Sequence, residues 1–105
     1  MMGESVLEKL VRETTVEIKN AEGLHMRPAM QFVDTASRFD CDLIVSNGQT
    51  NADGKSIMQM SMLAATCGTK LKVTAQGPDA RQAVEALQQL VEVKAFDEPL
   101  PREHK

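Results

Sequence analysis

The chain has 105 residues, 42% of them hydrophobic, which is enough for one domain around one core and too apolar for disorder throughout. Its net charge of −3 argues against a nucleic-acid partner, which needs a basic face. No apolar run approaches the roughly 20 residues needed to cross a bilayer, so direct membrane insertion is excluded.

Residues 1–13 read as an N-terminal extension. It is either a frayed, loosely docked segment or a short amphipathic helix with Val6, Leu7, Leu10 and Val11 on one side. The basic and apolar segments of a signal peptide are not seen here, so a cytoplasmic location is expected. Thr14 to Lys19 is the first predicted strand, because Val16 and Ile18 alternate with polar residues. Gly23 supplies a turn. Ala29, Phe32, Val33, Ala36 and Phe39 then recur at helical spacing, predicting a helix from about Met26 to Arg38. Pro28 fixes its start, since proline is tolerated only in the first turn, where an N–H has no partner to lose.

Cys41 to Ser46 reads as the second strand, with Leu43 and Val45 pointing inward. Asn47-Gly48 is a strong hairpin signal, so Gln49 to Ala52 should return antiparallel, ending at Asp53-Gly54. Ser56-Ile57-Met58-Gln59 matches the S-x-x-Q capping box and opens a helix expected to reach about Thr66, with Gly68 as its C-cap. Leu71, Val73 and Ala75 alternate with Lys72, Thr74 and Gln76, a half-buried strand. After Gly77-Pro78-Asp79, a regular stripe of Ala80, Ala83, Val84, Leu87, Leu90 and Val91 predicts the last helix. Residues 96–105 read as a loose C-terminal tail. The order βαββαβα implies one α+β domain over 14–95, with helices on one face of a four-stranded, mostly antiparallel sheet.

The stretch with chemical meaning is Gly23-Leu24-His25-Met26-Arg27-Pro28-Ala29. A lone histidine is usually structural or merely exposed. This one follows a glycine turn, sits at or beside the N-cap of a helix pinned by Pro28, and has Arg27 two residues on. A neutral imidazole is a good nucleophile. A phosphoryl group it accepted would lie against the amides of a helix N-terminus and within reach of a guanidinium. Ser56 is a capping serine that needs no other role, yet a phosphate there would also sit at a helix start. Gly54-Lys55-Ser56 is not a P-loop, because that motif has four residues between its glycines and Gly48 and Gly54 enclose five. The run from Ile57 to Ala65 is apolar on more than one face, as either core or a Met-rich docking surface. Cys41 and Cys67 lie far apart with no C-x-x-C or His/Cys cluster, which fits reduced thiols and argues against a metal site or a thiol enzyme. His104, in the tail, has no expected role.

These residues resemble the active-site motif of HPr, the histidine-containing phosphocarrier family of the bacterial phosphoenolpyruvate-dependent phosphotransferase system. Lys55-Ser56-Ile57-Met58 resembles its regulatory serine segment at a matching distance, and the similarity extends over about residues 14–95. The resemblance implies an open-faced sandwich of three helices on a four-stranded antiparallel sheet. It implies a stoichiometric carrier rather than an enzyme, monomeric and without cofactor or metal. His25 would accept phosphate on Nδ1 from phosphorylated Enzyme I and pass it to an Enzyme IIA domain, with Arg27 positioning the group. Ser56 would be a substrate of an HPr kinase/phosphorylase, and Met26, Ile57, Met58 and Met60 would meet partners. Three positions depart from the family pattern. Glu22 places a carboxylate three residues before the histidine, Met26 replaces a common small residue, and Ser61 replaces an apolar contact. Two alternatives stay open: a regulatory interaction protein controlled at Ser56, and a nitrogen-branch paralogue without a direct role in sugar transport. An RNA-binding α+β domain is disfavoured by the scarce aromatics, three Phe with no Tyr or Trp.

Overall fold

The computed structural model describes residues 10–97. Four strands form one sheet: β1 (Val11–Glu17), β2 (Asp42–Ser46), β3 (Asn51–Asp53) and β4 (Lys70–Gln76), in the order β1-β4-β2-β3 with every pairing antiparallel. Helix α1 (Met26–Ala36) follows β1, α2 (Ile57–Met62) follows β3, and α3 (Ala80–Gln88) follows β4. This is the expected α+β open-faced sandwich.

The strand alternation decides which face is covered. Val16, Leu43, Val45, Ala52, Leu71, Val73 and Ala75 are buried on one side of the sheet. Ala29, Phe32 and Ala36 of α1, Met60 of α2 and Ala83 and Leu87 of α3 meet them there. The opposite face carries Glu13, Lys70, Lys72 and Asp42 and stays open to water. A sheet with one apolar and one polar face needs a single layer of helices.

Several boundaries differ from the sequence expectation; β3, for example, runs Asn51–Asp53 rather than Gln49 to Ala52. Residues 1–9 of the proposed extension lie outside the described residues. The helical alternative for 1–13 fails at its C-terminal end, because Val11, Arg12 and Glu13 pair with Gln76, Ala75 and Thr74 in β1. The β4 edge extends far enough to take them up. Helix α1 stops at Ala36, with Ser37 as C-cap and tighter turns from Arg38 and Phe39 to Thr35 and Ala36.

Helix α2 ends at Met62 instead of Thr66. Ala64 turns to φ 50°, and Gly68 instead shapes the turn into β4, donating its amide to the Ile18 carbonyl at 2.8 Å. After α3 the chain makes a wide turn over Gln89–Val93, and then Ala95, Phe96 and Asp97 adopt φ of 48°, 57° and 58°. That left-handed turn places Phe96, the first residue of the expected tail, in the core at 0% exposure. The remaining tail residues, 98–105, lie outside the described residues.

Candidate functional site

The loop between β1 and α1 is clamped from below. The Gly23 amide donates to the Asn20 carbonyl at 3.2 Å, and Asn20 Nδ2 donates to the Gly23 carbonyl at 2.8 Å, with Asn20 fully buried. Gly23 has φ 76°, a conformation that costs a residue with a Cβ. Leu24 is buried beneath the loop and its amide donates to the Ala65 carbonyl at 2.8 Å. The next residue is therefore pushed outward. His25 is exposed at the N-cap of α1 in extended conformation, and its side chain makes no capping hydrogen bond. Its carbonyl accepts the Ala29 amide at 3.0 Å, which starts the helix, and Pro28 is buried in the first turn as its ring requires.

Arg27 is exposed one residue beyond Met26, and no Asp or Glu lies in the first turn to offset the positive end of the helix dipole. The exposed imidazole at the N-cap, the arginine two residues on in the first turn and the first-turn amides are the groups that an anion attached to the ring would meet.

Ser56 is the half-buried N-cap of α2, and its Oγ accepts the Gln59 amide at 3.2 Å. The capping box is only half formed. Gln59 Oε1 accepts the Asp53 amide at 2.8 Å, while the Ser56 amide donates to the Asp53 carbonyl at 3.0 Å. Lys55 Nζ reaches back to the Phe39 carbonyl at 2.8 Å and ties this loop to the end of α1.

Helices α1 and α2 pack side by side, which brings the two sequence motifs together. Between them runs a cleft of about 470 Å³ lined by Arg27, Met30, Val33, Asp34, Ser37 and Ile57. Met26, Ile57 and Met58 are exposed at 56%, 40% and 73%, and of these Ile57 lines the cleft.

Met60 is the exception among the expected contact residues. It is fully buried against the core because its position in the short helix faces the sheet, so it cannot meet a partner. The sequence reading missed Met30 and took in Met62 only as part of the apolar run from Ile57 to Ala65; they are exposed at 49% and 67%. Each follows an exposed methionine by four residues, and that spacing places it on the same helix face.

Both cysteines are free thiols, Cys41 buried and Cys67 exposed. Burial pushes the Cys41 thiol pKa up, with Asp79, Asp42 and Asp40 adding to the shift and Lys55 opposing it. Among the described residues there is no group of three His, Cys, Asp or Glu placed to hold a metal ion, and no helix is long and apolar enough to cross a membrane.

Comparison with known proteins gives the family and the fold. The family model described as the PTS HPr component phosphorylation site matches residues 12–93. The phosphocarrier protein HPr of Vibrio cholerae is 41% identical over 80 residues, covering 76% of this chain and 94% of that protein. HPr of Haemophilus influenzae is 45% identical over 76 residues, covering 72% and 89%. The crystal structure of HPr-C-His from Thermoanaerobacter tengcongensis superposes with a TM-score of 0.80 at 42% identity, covering 85% of this chain and 99% of that one. An exposed histidine before a proline-pinned helix, on a β1-β4-β2-β3 sheet matched across almost the whole length of these relatives, places the chain in the HPr family of phosphotransferase-system phosphocarriers.

Proposed function

We propose that the chain relays a phosphoryl group from phosphorylated Enzyme I to an Enzyme IIA domain through His25, as a stoichiometric carrier acting as a cytoplasmic monomer. The observation that carries this reading is the position of His25: exposed, at the N-cap of α1, with its side chain uninvolved in capping and Arg27 two residues on in the first turn.

A ring nitrogen of His25, Nδ1 by the family resemblance, attacks the phosphorus of the donor's phosphoryl group. The bond to the donor breaks as the bond to His25 forms, and the reverse sequence hands the group to the acceptor. Arg27 and the first-turn amides would hold the transferred group with charge-assisted hydrogen bonds of about 1.5–3 kcal/mol each. Such contacts hold the group at the surface without enclosing it, so it can leave.

Met26, Ile57 and Met58 would supply apolar docking contact around the reacting ring. Ser56 would be a regulatory site for an HPr kinase/phosphorylase, since a phosphate there adds charge beside Ile57 on the same face. The carrier domain, expected over 14–95, is read here as running from Val11 to Phe96, a reading supported by the pairing of Val11 with Gln76 and the burial of Phe96.

Incubation with phosphoenolpyruvate and Enzyme I should yield one acid-labile phosphate per chain, lost in His25→Ala. Label retained in that variant would overturn the assignment.

A further inference from the structure

The cleft between α1 and α2 contains a charge that holding a phosphoryl group does not require. Arg27 stands at its head. Asp34 lies seven residues further along the same helix, about 10 Å by helical rise. Met30 lies between them, and Ile57 forms the facing wall.

Asp34 Oδ2 accepts from Arg38 Nη2 at 3.1 Å, with the side chains 72% and 68% exposed. An exposed i,i+4 pair of this kind contributes little and exchanges readily for a better partner. A phosphoryl group on His25 would engage Arg27, which leaves the Asp34 carboxylate as the charge that the cleft offers to a docked surface. A carboxylate at the far end of an apolar-walled groove complements a side chain with an aliphatic stem and a cationic head.

We infer that Asp34 is a specificity-determining residue for the transfer reaction. The cleft receives an arginine or lysine side chain of the docked partner protein, its stem along Met30 and Ile57 and its head on the Asp34 carboxylate in place of Arg38. Arg27 and Met30, which line the cleft, stand in the first turns of the helix that His25 caps, so one docking event would fill the groove and align the ring. This inference rests on the carrier reading for its biological partner, and it favours partners with a basic contact over those with an acidic one.

The test has two arms with the full chain. In the first, transfer from phosphorylated Enzyme I and onward to an Enzyme IIA domain of the same organism is followed at varied carrier concentration. Asp34→Lys should raise KM for at least one partner on the order of tenfold with kcat and the final His25 label unchanged, and Asp34→Glu should behave as the parent. An unchanged or lower KM for Asp34→Lys with both partners overturns the inference.

In the second, N-acetyl-arginine amide is titrated against the labelled chain by NMR. Shifts are expected at Met30, Asp34 and Ile57, absent in Asp34→Asn and with uncharged N-acetyl-leucine amide. Equal shifts in Asp34→Asn overturn the inference. If His25 takes no label at all, the carrier reading falls by itself, and this titration alone decides the cation preference of the cleft.

Discussion

The Leu24 amide donates to the Ala65 carbonyl at 2.8 Å, a bond that fastens the loop bearing His25 to the segment leaving α2. Gly23, the residue before, lies so close to the same carbonyl that a Cβ there would stand 2.6 Å from its oxygen and 2.9 Å from Thr66 Cα. Both obstacles are backbone atoms, so no rotamer change relieves them.

Gly23→Ala is therefore expected to combine this clash with the cost of φ 76°, lowering stability by more than about 1–2 kcal/mol, the left-handed term alone. Gly48→Ala is the control. Gly48 has φ 96° but nothing within 4 Å of its added Cβ, so only the backbone term applies. Urea unfolding of both variants checks the ranking. Phosphoenolpyruvate-driven labelling should slow in Gly23→Ala alone, because only there does the histidine loop have to move.

Met60 and Met62 stand two residues apart on α2 with opposite environments, 0% and 67% exposed. Met60→Ala removes a side chain from the core under α1 and should cost about 2–5 kcal/mol of unfolding free energy. Met62→Ala should change stability by less than about 0.5 kcal/mol. Chemical denaturation separates the two, and equal losses would mean that α2 is turned differently on the sheet.

That pair also shows what the sequence could and could not disclose. Leu43 and Val45, or Leu71, Val73 and Ala75, declare their buried face by alternation with polar neighbours. In the six residues of α2, four of them Ile or Met, no polar stripe marks the outside, so the burial of Met60 was not legible. The length of α2 was misread for a related reason. Its apolar run continues to Ala65, but Ala64 turns to φ 50° so that Ala65 can accept the Leu24 amide, a partner far off in the chain. Phe96 was hidden likewise, since its burial depends on a left-handed turn of Ala95, Phe96 and Asp97 that no local motif announces. His25 was legible because Gly23, two residues before it, and Pro28, three after, set the turn and the helix start. Its approach to the Ser56 helix needed the tertiary packing of α1 on α2.

The thiols should react in order of exposure. Cys67 is exposed, while Cys41 is buried and its pKa is raised chiefly by that burial. Iodoacetamide near pH 8 should give a single adduct at Cys67, with Cys41 modified only after unfolding. The same shift sets a pH dependence. Above the ordinary thiol pKa the unfolded chain releases the Cys41 proton while the folded chain keeps it, so deprotonation favours unfolding. Stability from this group is full below that ordinary value and is lost as pH rises through the folded one. Urea midpoints should fall on the alkaline side in the parent and fall less in Cys41→Ala.

Ser56 couples a structural role to its proposed regulatory one, and two substitutions separate them. Its Oγ accepts the Gln59 amide at 3.2 Å, and the Gln59 side chain is occupied with the Asp53 amide, so nothing nearby replaces the cap if the hydroxyl is lost. Ser56→Ala should therefore cost about 0.5–2 kcal/mol, whereas Ser56→Asp keeps a good capping acceptor and should stay near the parent. Docking should sort the variants the other way. Aspartate places a negative charge next to Ile57 on the proposed contact face and should raise KM for phosphorylated Enzyme I, while alanine adds no charge and should leave KM close to the parent. A KM raised equally in both would trace the effect to fraying of α2 and not to charge. A KM unchanged in Ser56→Asp would remove the case for regulation at this serine, with the carrier role of His25 untouched.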